Sequence, residues 1–496
     1  MKITKSSVAL LALATVVACK TDLTSLNENP NSPTTAPAGP LFTGATRSAM
    51  ATLNGSFNTL SMTSLFAQHI AQIQYIDEDR GRIRSTTLDA LFNNLYVGPL
   101  EDYQKIIDAN TSQPSTSGPA MVMQQWVYQN MTDMWGDIPY SEALQGDAST
   151  PNFKPTYDSQ QSIYTGMLSK LTAASTSMAG GNSTTDPGLG SADRIYGGDV
   201  TKWIKLSNSL RARMAMRLSE ADPAKAQTEL TAAFAGPVFT SNADNARLVW
   251  PGDGIYDNPW ASNFATRDDH RMSKTLIDQL NATSDPRLPI FAQPTKADPT
   301  VYAGMQNGLT NASTNTYFNT TSRPGTIFYP GATTYGVFGT SAGKATPSYI
   351  MTYAELSFIK AEAALRGWGG LNAAQAAGFY NAAVTASIEQ WGGTAAQAAA
   401  YLAQPSVAYN GTLERIITQK WIAFFTQGTE AWSEWRRTGF PTAIVPGPSM
   451  YADTPGIALR LQYPPAETAA NAAGIAAAVA RQGADDESTK VWWDKP

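Results

Sequence analysis

Apolar residues recur at helical intervals along much of the chain, most plainly between Val200 and Leu218. There Trp203, Leu206, Leu210, Met214 and Leu218 follow one another at spacings of three and four, which puts them on one helical face. Arg213 and Arg217 fall in the closing turns, where the helix dipole favours cations. A second helix is predicted from Tyr353 to Arg366, with Gly367 as its C-cap. A third, rich in alanine, runs from Asn372 to Trp391 and stops at Gly392-Gly393. A fourth spans Leu413 to Thr426, with Leu413, Ile417, Trp421 and Phe424 on one side. Further helices are expected over residues 41–75, 86–109, 120–135 and 158–178. Helices joined by short glycine turns predict a mainly α fold, a tetratricopeptide-like array of helical hairpins (an α-α superhelix) with long loop insertions. No clean repeat of about 34 residues accompanies it.

Residues 236–347 lack this periodicity and read as a loop-rich insert, too long for a simple solenoid connection and suggestive of function. No composition break or charged linker divides the chain, so residues 41–496 read as a single domain. The amino terminus is different in kind. Lys2 and Lys5 precede an uncharged apolar run, Val8 to Val17, that is well short of the about 20 residues a membrane-spanning helix needs. It reads as the apolar region of a signal peptide covering residues 1–18. Ala18 directly before Cys19, the only cysteine, matches a bacterial lipobox. The Cys19 thiol is then expected to carry a diacylglycerol thioether on an acylated amino terminus, and several acyl chains on one residue anchor stably. Residues 19–40, punctuated by Pro30, Pro33, Pro37 and Pro40, are predicted to form an extended tether.

Composition and charge narrow the partners. Hydrophobic residues make up 43% of the chain and charged residues 15%. Loss of residues 1–18 leaves 33 basic against 40 acidic residues, a net charge of −7, with no basic block to track phosphates. Nucleic acid is therefore not an expected partner. One cysteine rules out an internal disulfide, and with only His69 and His270 beside it zinc is not expected.

Candidate catalytic motifs do not meet their own requirements. Gly339 to Gly343 matches G-x-S-x-G, but Lys344-Ala345-Thr346-Pro347 is a poor helix start and both histidines lie upstream. A nucleophile elbow needs a following helix and a later histidine, so this stretch reads as a loop. Glu355 and Glu362 are seven residues apart on one helix, about 10.5 Å between Cα atoms. That is wide for the about 5–5.5 Å of a retaining glycosidase pair. They are expected to tie their helix to arginines or backbone donors of a neighbour. Asp77-Glu78-Asp79 with Arg80, Arg82 and Arg84 lacks the ligand spacing of a calcium loop and reads as a salt-bridge cluster or solvated loop.

The functional signal is aromatic. Between Pro299 and Gly343 the only charged residue is Arg323, against Tyr302, Tyr317, Phe318, Phe328, Tyr329, Tyr335 and Phe338 in a background of Asn, Thr, Ser and Gly. Upstream, "WPGDGIYDNPW" holds Trp250, Tyr256 and Trp260. Rings on loops with amide and hydroxyl neighbours suit neutral ligands, because sugar C–H faces stack on rings while amides bond hydroxyls; extended peptides could use the same surface. The candidate ligand-binding residues are Tyr75, Trp250, Tyr256, Trp260, Tyr317, Tyr329 and Tyr335, with Arg323 fixing orientation. For any one ring, the competing reading is that it anchors its loop to the helical body.

Several collinear stretches together resemble the SusD/RagB family of outer-membrane nutrient-binding lipoproteins. They are "LNENPNSPTTAP" (26–37), "MTDMWGDIPYSEALQGD" (131–147), "YGGDVTKWIKLSNSLRARMAMRLS" (196–219), "DPRLPIF" (285–291), "PSYIMTYAELSFIKAEAALRGW" (347–368), "QKWIAFFTQGTEAWSEWRRTGFP" (419–441), "LQYPPAETAAN" (461–471) and "VWWDKP" (491–496). The resemblance implies a helical body of four tetratricopeptide-like hairpins decorated by long loops, lipid-anchored on the outer face of the outer membrane. It implies a SusC-like TonB-dependent transporter as partner, over which the protein acts as a lid, and no catalysed reaction. Some family members bind calcium; no residues here mark such a site, and no other cofactor is expected. The expected ligand is a neutral oligosaccharide. The alternatives are an oligopeptide in the same role, or an anchored glycan hydrolase, for which Asp253, Asp257, Asp268 and Asp269 are the nearest carboxylates in sequence.

Overall fold

The computed structural model describes residues 36–494 apart from residues 147, 311, 313 and 329–340. Cys19, Tyr329 and Tyr335 lie outside the described residues, as do the signal segment and most of the tether.

Fourteen α-helices of eight or more residues are present among the described residues. They are α1 (Ala38–Leu53), α2 (Ser85–Leu95), α3 (Glu101–Ala109), α4 (Pro114–Trp135), α5 (Gln160–Ser177), α6 (Val200–Arg217) and α7 (Pro223–Ala235). There follow α8 (Lys274–Ala282), α9 (Tyr353–Arg366), α10 (Ala373–Gln390), α11 (Ala395–Leu402), α12 (Leu413–Ala423), α13 (Gly428–Thr438) and α14 (Ala472–Gln482). Local chemistry sets their ends. The Asp199 carboxylate accepts from the N–H groups of Thr201 and Lys202 to start α6. Thr352 caps α9, and Gly367, at φ 71°, closes it in the left-handed conformation a glycine adopts without strain. Asn372 and Gln375 form a reciprocal capping box at the start of α10.

Successive helices pack as hairpins: α3 on α4, α4 on α5, α5 on α6 and α6 on α7, then α9 on α10, with α12 against α9 and α13 against α12. Contacts between α6 and α9 join the two halves. The fold is mainly α and tetratricopeptide-like, as the periodicity predicts. At the junction lies a buried ionic network. Arg213 binds Glu355 across helices and Arg217 reaches Glu434 at 2.8 Å and Glu430. Arg437 bridges Glu362 and Glu434, each at 2.7 Å, and Lys420 adds a contact to Glu434 at 2.9 Å. Glu355 and Glu362 thus tie their helix to arginines of neighbouring helices. Arg213 and Arg217, in contrast, do not serve the helix dipole in solvent. Both are buried and matched by carboxylates, because an uncompensated charge there would be costly.

Three short antiparallel ladders fasten loops to the body: β1 (Ile70–Gln72) with β5 (His270–Met272), β2 (Ile138–Pro139) with β3 (Tyr157–Asp158), and β4 (Ala246–Leu248) with β6 (Ser348–Met351).

Three boundaries differ from expectation. Helix α1 begins at Ala38 and includes Pro40 in its first turn, where the missing N–H has no partner to lose, so the tether ends earlier than the prolines suggest. The helix expected over residues 41–75 breaks after Leu53. At Gly55 a Cβ would meet the Ala51 carbonyl oxygen at 2.4 Å, and the chain then rewinds as a π-helix, Ser56–Thr63, before β1. The insert 236–347 is less open than its sequence suggests. It holds α8, with Leu276, Ile277 and Leu280 buried, and the shorter helices Pro259–Phe264, Leu288–Phe291 and Asn315–Thr320.

Candidate functional site

The π-helix and the loop before Pro259 face each other across a cleft of about 750 Å³, floored by α2. A π-helix is wound more widely than an α-helix and is frequent at functional sites, although a second one, Tyr96–Leu100, lies away from this cleft. Here its second residue, Phe57, points outward and is 65% exposed. Opposite, the Asp253 carboxylate accepts from the N–H groups of Ile255 (2.9 Å) and Tyr256 (2.8 Å). That turn leaves the two side chains 76% and 42% exposed. The N–H of Tyr256, then that of Ile255, hold the Asp253 carboxyl below its ordinary range. Arg47 lies over the Tyr256 ring at 4.8 Å. Phe57 and Ile255, both lining the cleft, are two of the nine large apolar side chains exposed among the described residues.

Polar groups line the interior. Asn58 and Asn263 enter from the two walls, with Thr87 and Asn94 from the floor. Asn58 is buried; its Nδ2 donates to the Leu53 carbonyl at 2.7 Å, while its Oδ1 meets no partner. Asn263 Nδ2 is likewise buried and unpartnered. These are two of thirteen buried side-chain atoms without a hydrogen-bond partner among the described residues, and neither has surface open to the cleft. The lining holds two charged residues, both matched: Arg84 by Glu78 and Asp257 by Lys344 at 2.9 Å.

The predicted ligand residues divide. Tyr256 is exposed between the lining residues Ile255 and Asp257, with its ring against Arg47, and does not itself line the cleft. Tyr75, at φ 53°, is 61% exposed under Arg267 at 5.3 Å; the Arg267 N–H donates to the Asn263 carbonyl at 3.1 Å, which links this ring to the cleft wall. Tyr317 is half-buried against Ala71, Ile73, Met305 and Ala312. Three expectations are corrected. Trp250 is buried and donates its Nε1–H to Ser348 Oγ at 2.9 Å. Trp260 is buried, stacked on Phe328 with centroids 5.5 Å apart, and donates to Thr59 Oγ1 at 2.8 Å. Arg323 is buried and paired with Asp268 at 2.9 Å, so it orients no ligand. In each case the side chain anchors its loop to the body, the outcome expected for most large rings.

Phe57, Asn58 and Asn263 were not singled out from sequence. Phe57 and Asn58 sit inside a helical pattern whose phase changes at the π-turn, and Asn263 is one amide among many. The exposed Phe in "NGSFN" after a helix-breaking Asn-Gly pair is the available signal.

Other groups do not assemble a reactive centre. His270 Nε2 lies 3.1 Å from Ser61 Oγ, but burial, then Arg271 and Arg267, push its pKa down to about 3, too low for a base near neutrality. Asp268 is shared by Arg271 and Arg323, and Asp269 is paired with Arg267. Among the described residues no group of three or more His, Cys, Asp or Glu side chains is placed to hold a metal ion. In a larger cavity of about 990 Å³ beside α3 and α4, four of the polar lining side chains bond one another. Tyr140 donates to Gln125, Gln125 to Gln124 and Gln124 to Gln104, while Tyr128 and Tyr140 turn their rings into each other at 4.7 Å.

Comparison with known proteins places this geometry. A family profile described as SusD-like, starch-binding and associating with the outer membrane, matches residues 30–464. A solved chitin-binding protein is 29% identical, with a TM-score of 0.79 over 93% of this chain and 100% of its own. A chitin-binding SusD homolog from Flavobacterium johnsoniae is 26% identical, with a TM-score of 0.79 over 92% of this chain and 98% of its own. A SusD homolog from Bacteroides thetaiotaomicron VPI-5482 is 25% identical, with a TM-score of 0.78 over 93% and 100%. No curated protein matches the chain.

Proposed function

The chain belongs to the SusD-like family, starch-binding proteins that associate with the outer membrane, and from that premise we propose that it captures a neutral oligosaccharide in the Phe57–Ile255 cleft. It is held at the cell exterior by lipid on Cys19 and passes its ligand to a SusC-like TonB-dependent transporter, over which it sits as a lid. It catalyses no reaction. The observation that carries the reading is the meeting, in one cleft, of the outward Phe57 ring with the exposed hydroxyl and amide side chains of Thr86, Asn94 and Ser262. Rings take sugar C–H faces and amides take hydroxyls, while the matched charges of Arg84 and Asp257 favour an uncharged guest. The chitin-binding relatives support a glycan over a peptide. Among the described lining residues Asp257 is the sole carboxylate, whereas glycoside hydrolysis ordinarily needs two. Among the described residues no helix is long and apolar enough to cross a membrane.

Titration calorimetry of the mature chain against malto-, cello- and chito-oligosaccharides and against mixed oligopeptides, with chromatography of the recovered ligand, tests the reading. Saturable glycan binding with intact ligand is expected. Peptide-only binding, or released product, refutes it. The anchor is tested by Cys19→Ser, which should move the protein from the membrane to the soluble fraction, and the partner by co-purification of a TonB-dependent barrel with the wild type.

A further inference from the structure

Helix α2 gives the cleft a row of three exposed side chains. Thr86, Ala90 and Asn94 recur at intervals of four, so they lie on one face of the helix. At 1.5 Å of rise per residue the row is about 12 Å long. Hydroxyls and amides on the other helices commonly close on the carbonyl four residues back, as those of Thr172, Thr228 and Asn130 do. Thr86 sits in the first turn, with no helical carbonyl behind it, and Asn94 makes no such bond to Ala90. The row therefore reads hydroxyl, methyl, amide, and both polar ends are open to solvent. Phe57 and Ile255 belong to the walls on either side, which leaves the length of α2 as the direction in which a guest can extend. The cleft, at about 750 Å³, is in the upper part of the range for small-molecule sites and exceeds what one sugar ring fills.

We propose that α2 gauges chain length: an oligosaccharide lies along the helix with one unit bonded to Thr86, the next resting on the Ala90 methyl and a third bonded to Asn94, so that the cleft selects linear chains of three or more units. The inference rests on the oligosaccharide reading above and adds the length and lie of the ligand. A row of about 12 Å matches three sugar rings in line. Each end offers what a sugar hydroxyl needs. Thr86 Oγ1 both donates and accepts, and the Asn94 amide presents a carbonyl and an NH2 group. Ala90 offers the middle unit a methyl and no hydrogen bond, which suits the C–H face of a ring. A mono- or disaccharide reaches one polar end and leaves the other to water. A chain longer than the row gains nothing from its extra units.

The test titrates the mature chain calorimetrically with malto-, cello- and chito-oligosaccharides of one to six units, with an oligopeptide control. In a series that binds, affinity is expected to rise at least about tenfold from two units to three, the effect of one added hydrogen bond, and to change less than about threefold from four units to six. A disaccharide too weak to register beside a bound trisaccharide meets the first expectation. Asn94→Ala and Thr86→Val each remove one end of the row. Either should weaken hexasaccharide binding about tenfold but disaccharide binding at most about twofold, because the shorter ligand keeps the other end. Thermal melting identifies a variant that has lost its fold, in which case the other variant and the wild-type series decide. Equal affinity for two and three units overturns the inference while leaving oligosaccharide capture intact. So does a gain that continues evenly through six units. An equal loss of both ligands on substitution has the same meaning, since it shows a residue that serves every length alike. Silence from every glycan, with or without peptide binding, overturns both.

Discussion

Phe57→Ala separates binding from folding at one side chain. A phenylalanine side chain presents about 200 Å², and at 65% exposure about 130 Å² of it is open in the free protein. A sugar resting on one face covers about half of that; at about 25 cal/mol per Å² the contact contributes about 1.6 kcal/mol, or about 15-fold in affinity. The cost to folding should be small, below about 0.5 kcal/mol, because the substitution removes atoms that already face water. Paired calorimetric titrations and denaturant melts of wild type and variant would read the two effects independently. If affinity is unchanged while the variant keeps the wild-type melt, Phe57 carries no ligand and the cleft has been assigned wrongly. If the melt collapses, the exposure on which the estimate stands is at fault.

Other expectations follow from burial. Trp260→Ala removes a ring packed on Phe328 and Phe425 and the bond to Thr59, and should cost about 3–5 kcal/mol in denaturant unfolding; a loss below about 1 kcal/mol would contradict its core position. Glu434→Gln removes the carboxylate shared by Arg217, Lys420 and Arg437, and should cost about 3–5 kcal/mol by the same measure, since buried Lys420 loses its paired carboxylate and Arg217 and Arg437 each lose one of theirs. Acid should weaken the fold through both histidines. Burial lowers each from the ordinary 6.5 to about 3, so their stabilisation is complete above 6.5 and is lost as pH falls toward 3, by up to about 1.4 kcal/mol per unit for each. Urea midpoints at pH 7.5 and 4.5 measure this, and His69→Gln should flatten the slope; an unaltered slope would show that His69 titrates normally.

The helical frame was readable because its signal is local. Trp203, Leu206, Leu210 and Met214 repeat at helical spacing, and Asp199, Gly367 and the Asn372–Gln375 pair mark helix ends within a few residues. The ionic junction was half readable. A glutamate pair inside an apolar helix asks for partners, but only packing shows that Arg213 and Arg437 supply them. The ligand face was read less well. Whether an aromatic ring on a loop faces inward is decided by residues far away in sequence: Trp260 closes on Thr59, Phe328 and Phe425, and Trp250 on Ser348. Loop composition does not record such distances. Phe57 was hidden for the opposite reason, since the π-turn changes the angle at which successive side chains leave the axis and a regular helical count no longer says which way they point.

The ladder between β1 and β5 sets Ile70 opposite Met272 and Gln72 opposite His270, close to where Ser61 meets that histidine. It rivets the segment bearing Phe57 to the segment bearing Tyr256 before any guest arrives. To that extent the two segments are tied together before a visiting molecule arrives, which lowers the ordering entropy lost on arrival. Tightness of grip should report contact chemistry almost alone, and descendants of this chain could change diet by exchanging a few surface side chains while leaving the chassis untouched.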